Sequence, residues 1–293
     1  MNLYKSLIFI LYLGIFLGSG FRTPAQSRDS ITLYGTLDTV QVIRQRIQHA
    51  NEANAGARVT HISPAVLQAN KTRSLAELLT DHTSIYIKSL GTGALSTASF
   101  RGTSASQTRV NWNGINITPP LSGTFDFSQI PVFFIDNINL YYGSSHVKNG
   151  TGAIGGSVNL FTDTDWNRGV NGRVLAEYGS YNTYTVGGQT NISGNESASK
   201  TRLYYQHSDN DYTYLNKVLT NTPFREKRQD AAYSQFGIMQ EGYFRVSPYT
   251  RLTAVAWYQK NYRNLPQPLG VVNRSQEDQE ENNFRGYAGL DFS

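Results

Sequence analysis

The most suggestive chemical spacing in the chain is Gly150-Thr151-Gly152-Ala153-Ile154-Gly155, which fits the G-x-G-x-x-G pattern of a dinucleotide phosphate cradle. Such a cradle needs a helix after its last glycine, so that the helix N-terminus faces the pyrophosphate. The residues that follow, Gly156-Ser157-Val158-Asn159-Leu160-Phe161-Thr162, read instead as a strand. The glycines are therefore expected to form a turn in which backbones pack closely. His49, His61, His82, His146 and His207 are dispersed, and no pair has the i, i+4 spacing with a Glu that a zinc hydrolase uses. No G-x-S-x-G elbow occurs after residue 25. With no Cys, the chain has no disulfide framework, thiolate metal site or cysteine nucleophile. No catalytic residue, resident metal or covalently bound cofactor is expected, and the chain reads as a non-enzyme.

The 26 Lys and Arg exceed the 21 Asp and Glu, but apart from Arg44/Arg46 and Arg225–Arg228 they are scattered. That distribution does not build a nucleic-acid face. Charged residues are only 16% of the chain, whereas it holds 19 Tyr and 14 Phe. Beyond residue 20 no apolar run approaches the ~18 residues of a membrane helix.

Lys5, the apolar run Leu7–Leu17 and Thr23-Pro24-Ala25-Gln26 have the layout of a secretory signal cut after Ala25. Residues 1–25 are thus an expected signal peptide, the run being shorter than the ~20 residues that anchor a protein in a bilayer. Residues 26–57 are polar and carry too little apolar surface to offset ordering entropy, which suggests a flexible tail. Within it, Leu37–Ile43 is rich in β-branched residues. This island suits either strand addition to another protein's sheet or a short strand of the tail's own.

From residue 58 to 165 the pattern is α+β. Ser63 can cap a helix that has Pro64 at its first position. Ser74 and Glu77 have the spacing of a capping box for a second helix. Alternation follows in Ser84–Lys88, and Asn113-Gly114 sits between two short apolar runs as a tight hairpin turn requires. Loops are expected at Gly91–Ser99 and Thr118–Ser128.

Residues 166–293 hold about six alternating segments, near Gly172–Gly179, Tyr181–Ile192, Thr201–Asp211, Phe236–Val246, Arg251–Arg263 and Phe284–Ser293. In Phe236–Val246 one face carries Phe236, Ile238, Gly242, Phe244 and Val246 and the other Gly237, Met239, Glu241, Tyr243 and Arg245, with Gln240 out of pattern. Such segments suit tilted strands of an outer-membrane barrel or a soluble sandwich. The secretion signal, the many Tyr and the few core Leu and Val favour the barrel.

In order along the chain, these parts resemble the TonB-dependent outer-membrane receptors, closest to the vitamin B12/siderophore receptor group. Asp38-Thr39-Val40-Gln41-Val42 is similar to the family's TonB box. Phe100-Arg101-Gly102 resembles its I-R-G motif, and Arg109-Val110-Asn111-Trp112-Asn113-Gly114 its R-V-L-x-D-G hairpin. Gly152-Ala153-Ile154-Gly155-Gly156-Ser157-Val158-Asn159-Leu160 resembles the G-A-I-G-G-V-I-N-I signature that closes the plug, and Gly91–Thr103 resembles a run in the vitamin B12 receptors. Departures are Asn113 for the hairpin Asp, Asn137-Ile138-Asn139 for Arg-Ile-Glu, and Tyr142-Gly143-Ser144 for Arg-Gly-Pro. They remove charges that in the family fix plug to wall, so neutral hydrogen bonds or other ion pairs must hold the two together.

The resemblance implies an α+β plug followed by an antiparallel transmembrane β-barrel, in the outer membrane of a Gram-negative bacterium. It implies energised uptake of a metal chelate, a ferric siderophore or cobalamin, with outer-membrane lipid around the wall and a TonB-type periplasmic protein bound at Asp38, Thr39, Val40, Gln41 and Val42. Ligand contacts are expected from Thr92, Leu95, Ser96, Thr97, Pro120, Leu121, Ser122 and Thr124 in the two plug loops. Arg101, Gly102, Asn113, Gly114, Gly152, Gly155, Gly156 and Asn159 are expected to carry the plug's structural motifs. Because such barrels have about 22 strands, six of them are expected to be the amino-terminal portion of a longer receptor. The alternative class is a secreted β-rich binding or adhesion module without transport.

Overall fold

The computed structural model describes residues 58–143, 153–218, 223–266 and 277–292. The expected signal peptide and Asp38–Val42 lie outside the described residues.

The α+β part opens with β1 (Arg58–His61) and α1 (Pro64–Ala69), where Ser63 Oγ accepts the Val66 N–H and Pro64 supplies the first helical φ. In α2 (Leu75–His82) the capping box is complete, since Ser74 Oγ accepts from Glu77 N while Glu77 accepts from Ser74 N. Leu75, Leu78 and Leu79 turn one face of α2 into the core. There follow β2 (Tyr86–Ser89), β3 (Ser96–Ser99), β4 (Thr108–Trp112), β5 (Ile115–Asn116), β6 (Asn137–Tyr142) and β7 (Gly156–Phe161). Five of the strands form one sheet in the order β1-β6-β7-β4-β5, antiparallel except for the parallel pair β4 and β7. Val110, Ile138, Leu140, Val158 and Leu160 are buried in it.

Asn113 and Gly114 have φ angles of 49° and 85°, the left-handed pair that a two-residue hairpin between β4 and β5 demands. A strand, not a helix, follows Gly155, so the helix that a phosphate cradle needs is not there. Two local boundaries differ from the sequence reading. Ser96–Ser99, expected as loop, pairs with β2, because β2's edge is free to take a short partner. Tyr181 and Asn182, expected at a strand start, are the turn before a strand, with φ angles of 60° and 52°.

The remaining long strands are β8 (Gly169–Gly179), β9 (Thr183–Ser193), β10 (Ser197–Ser208), β13 (Tyr233–Ser247), β14 (Thr250–Leu265) and β15 (Glu277–Phe292). They pair antiparallel in the order β15-β14-β13-β10-β9-β8 and form an incomplete barrel wall. A small hairpin, β11 (Thr213–Asn216) with β12 (Phe224–Lys227), is inserted between β10 and β13. One rim of the wall has the short turns 194–196 and 248–249, and the other has the short turn 180–182 together with the long connections 209–232 and 266–276.

The wall inverts the usual amphipathicity of a sheet. Leu203, Ile238, Phe244, Phe284 and Leu290 point away from the α+β part and are exposed. The intervening positions, among them Lys200, Arg202, Gln235, Glu241 and Gln259, are buried against it. An apolar exterior over a polar interior is the arrangement of a membrane-crossing barrel. Among the described residues no helix is long and apolar enough to cross a membrane. Ile238 lies near the middle of β13. Ile238→Arg is therefore expected to lower the unfolding free energy of the protein in lipid vesicles by about 2–4 kcal/mol. Urea titration would check this, and an unchanged midpoint would place that face in water.

Candidate functional site

The polar interior of the wall requires partners, and one plug segment supplies most of them. Asp126–Asp136 contains two 3-10 turns, Phe127–Gln129 and Val132–Phe134, but no strand or α-helix, so its backbone carbonyls are not used up by regular pairing. Wall side chains take their place. Gln235 Nε2 donates to the Ser128 carbonyl at 2.8 Å, Gln259 Nε2 to the Gln129 carbonyl at 2.7 Å, and Arg202 Nη1 to the Phe133 carbonyl at 3.2 Å. Gln129 Nε2 donates in turn to Glu281 at 2.6 Å. The segment thus descends the wall from the long-connection rim toward the short-turn rim.

At its upper end Asp126 joins three parts of the molecule. Its Oδ1 accepts from Ser96 N at 3.0 Å and from Ser128 N and Oγ at 3.0 and 2.7 Å, while its Oδ2 accepts from Arg263 Nη1 at 2.9 Å. The Gly91–Ala94 loop lies beside this junction. Asn210 Nδ2 donates to the Thr92 carbonyl at 3.0 Å, and Arg263 reaches the Gly93 carbonyl at 3.4 Å.

At the lower end Asp136 is held by Arg202 and by Lys200, the latter at 3.0 Å, and accepts the Asp163 N–H at 2.9 Å. Arg202 is fully buried and also lies 3.3 Å from Glu241, whose other oxygen accepts from Tyr243 at 2.8 Å. Burial alone pushes the Asp136 carboxyl up, but Arg202, then Lys200 and Lys71, outweigh it and hold the group at about 2. Burial lowers the Lys71 ammonium to about 8, against the opposing pull of Asp136, and Lys71 donates to the Val132 carbonyl at 3.3 Å. The ion pairs of Asp136 place the acid on the plug and the bases on the wall. The sequence reading missed them. The available signal was Lys200, Arg202 and Glu241 at alternate positions of segments whose other face is apolar.

The neutral replacement at Asn113 also finds the wall. Asn113 Nδ2 donates to Tyr287 Oη at 2.6 Å and to Thr162 Oγ1 at 2.9 Å, while its Oδ1 accepts the Thr162 N–H at 2.9 Å. Both kinds of interlock anticipated from the departures therefore occur together. Trp112 stacks edge-on to Trp257 at 4.9 Å and Tyr287 at 5.7 Å, sealing the same region with apolar surface.

The expected motif residues fall into two groups. Asn159 is buried and accepts from Asn111 Nδ2 at 2.8 Å across the parallel pair. A Cβ on Gly156 would lie 2.5 Å from the Tyr141 carbonyl and 2.7 Å from the Phe100 ring, and one on Gly155 would strike Thr103, so glycine is required where this strand passes the Phe100–Thr103 turn. Arg101 and Gly102 are exposed on that turn. Gly152 lies outside the described residues.

Of the residues expected to meet a ligand, Thr92, Leu95, Pro120, Leu121 and Ser122 are exposed, and Leu121 is entirely so. Thr97 and Thr124 are half-buried. Ser96 does not face outward. It is buried, and its hydroxyl bonds Ser89 Oγ at 3.0 Å and the Ala94 carbonyl at 3.2 Å, so it braces the loop from beneath. The Ser96–Asp126 bond draws the bases of the two loops together.

Because Asp136 ionises lower in the folded protein than its usual 3.8, its stabilising contribution is complete above that pH and is lost as pH falls toward 2. The expected loss is about 2 kcal/mol. Asp136→Asn should remove this acid step and, by stranding buried cations, destabilise the plug at neutral pH by about 3–5 kcal/mol. Urea titrations across this pH range, read by the fluorescence of the stacked tryptophans, would reveal both effects. Equal acid steps in the two proteins would remove Asp136 as its source.

Residues 51–157 match the family model of the TonB-dependent Receptor Plug Domain. The chain is 33% identical over 135 residues to the vitamin B12 transporter BtuB of Photobacterium profundum, covering 46% of this chain and 22% of that protein. It is 32% identical over 126 residues to the vitamin B12 transporter BtuB of Vibrio cholerae serotype O1, covering 43% and 20%. The chain therefore spans about a fifth of the length of these curated relatives. Among solved structures it is similar to FpvA of P. aeruginosa bound to heterologous pyoverdines, with a TM-score of 0.64 at 16% identity, covering 82% of this chain and 32% of that one. It is also similar to the alcaligin outer-membrane receptor FauA of Bordetella pertussis, with a TM-score of 0.61 at 14% identity, covering 81% and 36%. A plug that matches the family's own model over residues 51–157, bonded along the inside of a wall with the same fold as these receptors, makes the chain similar to the TonB-dependent receptors in both of its described parts.

Proposed function

We propose that the chain serves energised uptake of a metal chelate, cobalamin or a ferric siderophore, across the outer membrane of a Gram-negative bacterium. The observation that carries this reading is the bonded plug. From Asp126 to Asp136 it is tied to the wall by charged and neutral hydrogen bonds, so the lumen opens only when work is done on the plug. The outer membrane has no nucleotide triphosphate to do that work, and a periplasmic TonB-type partner would supply it. The vitamin B12 transport of the sequence relatives and the siderophore ligands of the structural neighbours support a chelate as cargo. The metal belongs to the cargo and is not a resident of the protein.

On this reading residues 1–25 are the signal peptide, 26–57 the periplasmic tail, 58–165 the plug and 166–293 the start of the barrel. Asp38–Val42 would add as a strand to the energising protein, the several backbone hydrogen bonds of the pairing giving it a grip on the tail. Chelate contacts come from the loop tips that are exposed, Thr92, Leu95, Pro120, Leu121 and Ser122, with Thr97 and Thr124 beside them. Ser96 acts by holding the first loop to Asp126.

In the full-length gene product, deleting Asp38–Val42 is expected to leave binding of labelled cyanocobalamin or ferric siderophores to whole cells intact while accumulation inside the cell falls to background. Accumulation at the parental rate would remove the box and its partner from the mechanism.

A further inference from the structure

The wall carries two inward glycines whose missing side chains leave room for the plug. Gly187 of β9 and Gly237 of β13 are the direct cross-strand partners of Tyr204 in β10, so the three form one inward-facing row, Gly-Tyr-Gly. Strands lie about 4.8 Å apart, and a row with side chain only at its centre therefore has a pit on each side of the tyrosine. The plug fills both. Phe133 packs over Gly187 with its ring 5.8 Å from Tyr204, and Phe134 packs over Gly237 with its ring 6.1 Å from Tyr204 and 5.3 Å from Trp257. Both phenylalanines are buried. Tyr204 is pinned between them, its hydroxyl donating to the Thr72 carbonyl at 3.0 Å.

The fit is specific to this row. A Cβ on Gly237 would stand 2.7 Å from the Phe134 ring, closer than real Cβ contacts come, and one on Gly187 would stand 3.2 Å from the Phe133 ring and 3.0 Å from Leu175 of β8, so Gly237 is the cleaner probe of the plug. Gly188, the next residue of β9, faces outward, and a Cβ there would meet nothing within 4 Å. The inward row above the pits is Thr185–Gln206–Gln235 and the row below is Gln189–Arg202–Met239, both filled with side chains. Apolar contact by itself has no direction, so two rings could slide along a uniform wall. Pits in one row and none in its neighbours leave them a single seat.

We infer that Gly187, Tyr204 and Gly237 are positioning residues, a paired socket that receives Phe133 and Phe134 and sets the height at which the plug sits in the wall. Seating at that height lines up Asp126 with Arg263 above and Asp136 with Lys200 and Arg202 below. The inference depends on the plug lying inside the wall and not on the cargo, so it stands or falls independently of chelate uptake.

The test uses the full-length gene product in cells, with penetration of vancomycin as a probe of an unsealed lumen and heat-dependent gel mobility as a check that the barrel has folded. Overpacking by one methyl group is expected to shift the seated fraction about tenfold. Gly237→Ala should thus raise vancomycin sensitivity about tenfold, Gly187→Ala less, and Gly188→Ala not at all. Trimming the knob in the same protein, Gly237→Ala with Phe134→Leu, should return sensitivity toward the parental level. Phe134→Ala alone, which leaves the wall untouched, should also raise it. The inference is overturned if Gly237→Ala and Gly188→Ala behave alike, or if trimming Phe134 rescues nothing. It is equally overturned if Phe134→Ala in a folded barrel leaves the lumen sealed.

Discussion

The constraint on which the structure depends is hydrogen-bond satisfaction in a sheet turned inside out. A wall with apolar residues outward must carry its polar ones inward, and each of these is buried once a plug occupies the lumen. An unmatched buried donor or charge is far more damaging than a missing apolar contact. The plug answers with a segment that leaves the Ser128, Gln129 and Phe133 carbonyls to the wall. Asp126–Asp136 forms no α-helix or strand beyond its two short 3-10 turns, and Gln235, Gln259 and Arg202 bond to it in place of a strand partner. The irregularity of that segment is therefore part of the interface and not a gap in the plug's architecture.

Around this contact the charges divide by depth. Asp126 with Arg263 anchors the upper end, and Asp136 with Lys200 and Arg202 the lower. Between them run neutral amide bonds and the aromatic group of Phe133, Phe134, Tyr204 and Trp257. A buried ion pair adds little net stability compared with a well-packed apolar one. What it adds is intolerance of misplacement, since a plug displaced by one row leaves an uncompensated cation in the interior.

The local elements were legible in the sequence because their causes are local. Ser63 with Pro64, the Ser74–Glu77 box and the Asn113-Gly114 turn each specify backbone geometry within four residues, and all three occur as read. The alternation of β13 and β15 was equally plain, since a period of two survives whatever lies across the lumen. Gln240, the one residue out of pattern, faces outward and bonds within the sheet, accepting from Thr201 Oγ1 at 2.6 Å and donating to Ser199 Oγ at 2.9 Å. Contacts between distant segments were not legible. Asp136 and Arg202 are separated by 66 positions, and neither residue's neighbours in sequence announce the pairing. Ser96 was misjudged for the same reason. Its loop looks outward from composition alone, and only the Asp126 carboxylate, distant in sequence, turns it inward.

The rims of the wall differ in a way that bears on how such a protein diversifies. Turns of two or three residues close one rim, while the other, beside its own short turn at 180–182, carries the β11–β12 hairpin between β10 and β13. Asn210, in the connection that carries it, holds the Thr92 carbonyl, but the β11–β12 hairpin beyond it can change without touching the bonds of Asp126 and Asp136. A lineage can accordingly rewrite that hairpin again and again around an interior that stays as it is.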